Sequence, residues 1–249
     1  MKLSERAYLK VSAALPPGIA ARVDLLRSTS LAGAPLNGQR ERRRVVRELL
    51  AAVDFDDVVE TGTFRGASTE FFSHVSGLPV HSVELLPRFH RFARARCAED
   101  PAIHLTLGDS RRFLTDLSGR LADRTTFFYL DAHWQADVPR LAEIEIISAA
   151  WPRAVVMIDD FAVAGDPGYG FTHYGGVPLT VDYLPPLPGW ALFHPRARSA
   201  EETGARRGCL VLASPALAPA VERVPGLRRI AGTGPDQPVH AEHSIHHQM

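Results

Sequence analysis

Five short apolar windows recur from residue 57 onward: Asp57–Thr61, Val80–Leu85, Ile103–Leu107, Thr126–Asp131 and Ala154–Asp159. Each is close to continuously apolar, as a strand buried on both faces must be, and helical stretches beginning near Ser68, Pro87, Ser110 and Asp137 separate them. In the last of these, Val138, Leu141, Ile144 and Ile147 fall at three-to-four spacing, and Trp151-Pro152 stops the helix before the next strand. The alternation predicts an α/β domain, a parallel sheet with helices on both faces. Two further strands, Trp190–His194 and Gly208–Ala213, need no helix between them and are expected as an antiparallel pair at one edge, seven strands in all.

The flanks follow other patterns. Residues 1–36 read as one or two short helices broken at Pro16-Pro17-Gly18, with Val23, Leu25 and Leu26 as an apolar patch suited to a core cap, a lid or a dimer contact. After Asn37-Gly38, one helix face carries Val45, Val46, Leu49, Leu50 and Val53, while Arg40, Arg42, Arg43, Arg44 and Arg47 fall mostly opposite and are expected to be solvated. The expected organisation is an extension over 1–36, a catalytic-size domain over 37–214, and a proline-rich tail over 215–249 that ends in His240, His243, His246 and His247. The segment from Asp166 to Gly176, rich in glycine and aromatics, is expected to be a loop over the site, mobile until a ligand orders it.

Charge narrows the partners. The 28 basic and 28 acidic side chains balance, which gives no field to draw the chain to nucleic acid or an anionic membrane, so a small-molecule partner is expected. Lysine occurs only at Lys2 and Lys10, so no lysine is available as a general base in the domain. Cys97 and Cys209 lack metal-ligand spacing and read as free thiols, and with neither a leader pattern nor an apolar span the expectation is a cytoplasmic protein.

Candidate chemistry gathers where strands end. Val58–Thr69 reads as a strand ending in Glu60-Thr61, a tight turn Gly62-Thr63-Phe64-Arg65-Gly66, and Ser68 opening a helix whose free N–H groups favour polar ligand atoms. Ligands of open parallel sheets collect beyond the carboxyl ends of the strands. Those ends carry Glu60, Glu84, Asp109-Ser110, Asp131 and Asp159-Asp160, an acid on each of five strands. The turn is not the G-x-G-x-x-G that a dinucleotide pyrophosphate requires.

With these residues the chain, over roughly 40–213, resembles the class I S-adenosylmethionine-dependent methyltransferases, which have a Rossmann-like fold. The resemblance implies that Glu60, Thr61, Gly62, Thr63 and Ser68 line the methionine end of the cofactor and that Glu84 takes the ribose hydroxyls. It also implies that Asp109 and Ser110 lie by the adenine, with Asp131 at the edge of the pocket. Asp131, Asp159 and Asp160 are expected to converge, and three carboxylates would repel without a cation, so hard oxygen ligands point to Mg²⁺ or another divalent ion. This is similar to the metal-dependent O-methyltransferases, the macrocin-type sugar enzymes and the cephalosporin-hydroxylase-like proteins. His133, two residues past Asp131, is the expected base and His173 the reserve; the lysine or histidine that relatives carry three residues after the acid is Trp134 here. The activity implied is metal-assisted methyl transfer to a hydroxyl of a small polar molecule. Two alternatives remain open, a non-catalytic binding protein of the same fold and a metal-dependent hydroxylase or hydrolase.

Overall fold

A computed structural model of the chain describes residues 15–26, 34–133, 139–174 and 177–230. Trp134, Asp137 and Val138, together with the histidine-rich end, lie outside the described residues. The helices are α1 (Pro17–Leu26), α2 (Arg40–Ala52), α3 (Ala67–Ser76), α4 (Pro87–Arg96), α5 (Ser110–Leu121), α6 (Arg140–Ala150) and a short α7 (Ala218–Val221). The strands are β1 (Asp57–Thr61), β2 (Val80–Glu84), β3 (Ile103–Leu107), β4 (Thr126–Leu130), β5 (Ala154–Asp159), β8 (Ala191–Pro195), β9 (Cys209–Ala213) and β10 (Leu227–Arg229), with a two-residue hairpin pair β6 (His173–Tyr174) and β7 (Val177–Pro178) between β5 and β8.

One sheet runs in the order β10-β8-β9-β5-β4-β1-β2-β3. From β5 to β3 all pairs are parallel, while β9, β8 and β10 add antiparallel partners beyond β5. The chain order reverses between β1 and β4, the place where an open α/β sheet opens a crevice for a ligand. The strands β1, β4 and β5 are buried along their full lengths, which accounts for the apolar runs at their centres.

Each face of the sheet carries its own core. Val45, Val46 and Leu49 of α2 meet Phe71 and Phe72 of α3 over Val58, Phe127 and Val155 on one side. On the other, Phe113, Leu114 and Leu117 of α5 meet Ile144 and Ile147 of α6, with Trp151, over Val59, Phe128 and Val156. Burial of apolar area on both faces is the main force holding the sheet.

Two expectations require correction. The sheet has eight strands, not seven, because β10 pairs with β8 in the stretch read as tail. The break expected at 215 is absent for the same reason: Leu217, Val221, Val224 and Leu227 are buried in the first core, so the folded domain continues to residue 230. No helix among the described residues is long and apolar enough to cross a membrane.

Candidate functional site

The turn after β1 lies at the reversal point. Gly62 has φ +89°, and a Cβ there would stand 2.8 Å from the backbone of Asp131 and Ala132, so only glycine lets this turn rest against the segment leaving β4. Phe64 follows at φ 49°. Its N–H donates to Glu84 Oε2 at 2.7 Å, and the N–H of Leu86 donates to Glu84 Oε1 at 2.8 Å. With Leu85, backbone N–H groups reach both oxygens of Glu84, and of the four lone-pair sites of the carboxylate capacity is left for a ligand. Burial pushes the Glu84 pKa up, against the pull of those N–H groups. Around it, Phe64, Leu85 and Leu107 are large apolar side chains left exposed at neighbouring strand ends. An acceptor carboxylate ringed by exposed apolar surface suits a ribose with a purine beside it.

The other residues expected at the cofactor are mostly engaged within the protein. Glu60 is buried, with Oε2 accepting from Ser82 Oγ at 2.7 Å and from Thr69 Oγ1; burial raises its pKa to about 7, in spite of the two hydroxyls and helped by the charge of Glu84. The Thr63 hydroxyl bonds to Ser82 Oγ at 2.6 Å, and Ser68 Oγ accepts from the N–H of Leu36 at 3.0 Å. Asp109 caps α5 by accepting from the N–H groups of Arg111 and Arg112, and the side chain of Arg111 holds its pKa below the usual carboxylate range. Ser110 and Thr61 are buried beside Glu143, whose pKa burial lifts to about 7 although both hydroxyls and Arg140 work against it. Glu84 and the backbone of the turn are thus what this wall offers a ligand.

The three remaining acids do not converge on a common vacancy. Asp159, fully buried at the end of β5, accepts at Oδ1 from Arg42 Nη1 and at Oδ2 from Asn37 Nδ2 (2.8 Å) and Tyr129 OH (3.0 Å). Asp160, at φ 60°, takes Arg207 Nε at 2.5 Å on Oδ1 and Thr172 Oγ1 at 2.9 Å on Oδ2. Its burial would raise its pKa, but the hydrogen bond and charge of Arg207, with Thr172, hold it lower. Asp131 keeps 28% of its side chain exposed and lies 3.6 Å from Arg140 Nη2; burial and the charges of Asp159 and Asp160 push its pKa well up. The cation that three clustered carboxylates demand is supplied by arginine side chains. A divalent ion needs free carboxylate oxygens at one point. Each oxygen of Asp159 and of Asp160 already faces a donor, an arginine on one oxygen of each, and among the described residues no group of three or more His, Cys, Asp or Glu is placed to hold a metal ion. The residues as arranged do not fit Mg²⁺.

His133 stands beside this group with its ring half exposed, its Nδ1 3.0 Å from the carbonyl oxygen of Asp131. With a carbonyl as its partner Nδ1 is the donor in this contact, which favours the tautomer protonated there. Burial and the Arg140 charge lower its pKa, which favours the neutral ring. His173 is exposed, its ring tilted against that of Phe171 with centroids 4.9 Å apart. The loop beginning at Asp166 is tied down in its first half: Tyr169 is buried with its hydroxyl donating to the carbonyl of Ala197, and Gly170 bridges to Arg207.

Arg42, Asn37 and Arg207 are functional neighbours that the sequence reading missed. Arg42 was assigned to a solvated face, yet it is 3% exposed. The signal was available, since Arg42, Val45, Val46 and Leu49 form one helical stripe, and those four are the buried residues of α2. Glu202 completes the arrangement by accepting from the N–H groups of Glu41 and Arg42 at the start of α2.

No protein-family model matches the chain, and no curated protein is matched by its sequence. Solved structures do match. A protein from Klebsiella pneumoniae provisionally assigned as an O-methyltransferase shares 14% identity over 85% of this chain and 96% of its own, with a TM-score of 0.56. The O-methyltransferase from Bacillus cereus in complex with SAH shares 16% over 82% and 95%, TM-score 0.51. TomG from Streptomyces achromogenes, an O-methyltransferase of tomaymycin synthesis solved with SAM, shares 21% over 70% and 80%, TM-score 0.50. The fold is that of the class I methyltransferases.

Proposed function

We propose that this chain transfers the methyl group of S-adenosylmethionine to a hydroxyl oxygen of a small polar acceptor, in the class of sugars or natural-product intermediates. The observation that carries the reading is Glu84: a carboxylate at the end of β2, held by backbone N–H groups on both oxygens at the mouth of a glycine turn and flanked by exposed Phe64, Leu85 and Leu107. Bound there, S-adenosylmethionine would supply a methyl group activated by its sulfonium charge. Glu84 accepts from the two ribose hydroxyls, and its charge favours a cationic ligand. Gly62 brings the turn against the backbone of residues 131 and 132, so that cofactor wall and acceptor edge adjoin. His133 hangs from that edge with Nε2 as its basic atom, suited to take the proton of the acceptor hydroxyl as its oxygen is methylated. Alignment and the loss of charge at sulfur supply the rest of the rate.

The reading leaves out a divalent ion; the hydroxylase alternative would need two well-placed histidines beside a carboxylate, and among the described residues no such group is placed to hold a metal. Its test is release of S-adenosylhomocysteine with a panel of phenols, catechols and glycosides. Turnover is expected with at least one member, and His133→Ala should lower kcat by about 10²–10⁴ while leaving KM for S-adenosylmethionine alone. Tight cofactor binding without product from any acceptor would favour a non-catalytic binding protein instead.

A further inference from the structure

Helix α1 lies outside the sheet and packs on α4, and a single buried carboxylate is at the contact. Asp24 is 0% exposed and takes Arg88 in a bidentate pair, Nε to Oδ2 at 2.7 Å and Nη2 to Oδ1 at 2.8 Å. The same Oδ1 stands 3.8 Å from Arg65 Nη2. Arg65 is itself fully buried, its guanidinium 4.8 Å from the ring of Phe64, 5.7 Å from Phe92 and 5.9 Å from Phe89.

The positions of these partners give the contact its meaning. Arg65 belongs to the turn after β1, next to Phe64, whose N–H holds one oxygen of Glu84; Arg88 is in the first turn of α4, two residues past Leu86, whose N–H holds the other. The two segments that clasp Glu84 thus each send a guanidinium to Asp24. Without that carboxylate the buried Arg65 and the half-buried Arg88 would lose the charge that draws both segments to one point.

We infer that Asp24 is a positioning residue for the cofactor pocket: from outside the domain, α1 sets the distance between the glycine turn and the start of α4, and so the geometry of Glu84. Asp24 touches neither cofactor nor acceptor. The inference rests on the proposed function, and its test separates the two. Calorimetric titration of S-adenosylmethionine is compared in the wild-type protein, Asp24→Asn, Asp24→Glu and Arg88→Gln, the last keeping the Asp24 and Arg65 pair should Asp24→Asn fail to fold. Affinity should fall about tenfold in Asp24→Asn and Arg88→Gln and recover in part in Asp24→Glu, and KM for S-adenosylmethionine should rise with kcat at saturation unchanged. Amide hydrogen exchange at residues 62–66 should speed up in the same variants. Wild-type affinity in folded Arg88→Gln, with unchanged exchange at 62–66, overturns the inference. Failure of the wild-type protein to bind would instead overturn the proposed function.

Discussion

Replacing Glu60 with glutamine tests the electrostatics beneath the pocket through stability alone. The group is 1% exposed, and its pKa stands at about 7 against an ordinary 4.5, chiefly because burial disfavours the charged form. In the unfolded chain it ionises near its ordinary value, while the folded protein keeps the proton until about pH 7. Between those limits unfolding releases a proton, so stability falls as pH rises and levels off above pH 7. A shift of about 2.5 units at 1.36 kcal/mol each makes the cost on the order of 3 kcal/mol, present in full above pH 7 and absent below about pH 4.5. Glutamine has the same shape, cannot ionise, and keeps a carbonyl oxygen for the hydroxyls of Ser82 and Thr69. Urea unfolding of both proteins at pH 5, 6.5 and 8, followed by tryptophan fluorescence, isolates the effect, since Glu143 and every other titrating group are common to the two. The advantage of Glu60→Gln over wild type should grow by about 2.5 kcal/mol from pH 5 to pH 8, since a small part of the cost is already present at pH 5. A difference that stays flat or shrinks over that range would refute the reasoning.

Other perturbations read other parts of the site. Asp159→Asn leaves Arg42 buried without its counter-charge and should lower stability by about 3–5 kcal/mol, seen as a loss of thermal midpoint; an unchanged midpoint would mean that the pair is not formed. Glu84→Ala should weaken S-adenosylmethionine binding by about ten- to a hundredfold, since two charge-assisted acceptor positions are lost, and equal affinity would remove the ribose assignment. Chelator should leave turnover with an identified acceptor unchanged. Activity abolished by chelator and restored by Mg²⁺ would show that Arg42 and Arg207 give way to an ion.

Much of the architecture was legible because strands inside a parallel sheet, buried on both faces, are largely apolar. The mostly exposed edge strand β3 alternates, with Ile103 and Leu105 on its more covered face. Asp57–Thr61, Ile103–Leu107 and Ala154–Asp159 have the bounds read from sequence, and β2, β4, β8 and β9 differ by a residue or two. The three-residue β10 escaped because Arg228 and Arg229 make it look like surface; it is an edge strand whose Leu227 alone is buried. The strand-end acids were legible as a set, but their partners were not. Arg42 meets Asp159 across 117 positions and Arg207 meets Asp160 across 47, separations over which no local pattern carries charge pairing. Three carboxylates read alone imply a missing cation, and the fold supplies arginine. The role of α1 was hidden in the same way, since Asp24 gains its meaning only from Arg65 and Arg88.

The account turns on whether the turn after β1 and Glu84 make a cofactor site. Titration calorimetry of S-adenosylmethionine into the full chain, once with chelator and once with Mg²⁺, measures this most directly. One site per chain, with the same affinity under both conditions, is the predicted result. No binding heat at millimolar cofactor under either condition would contradict the account, and binding only in the presence of Mg²⁺ would contradict its arginine-neutralised acids.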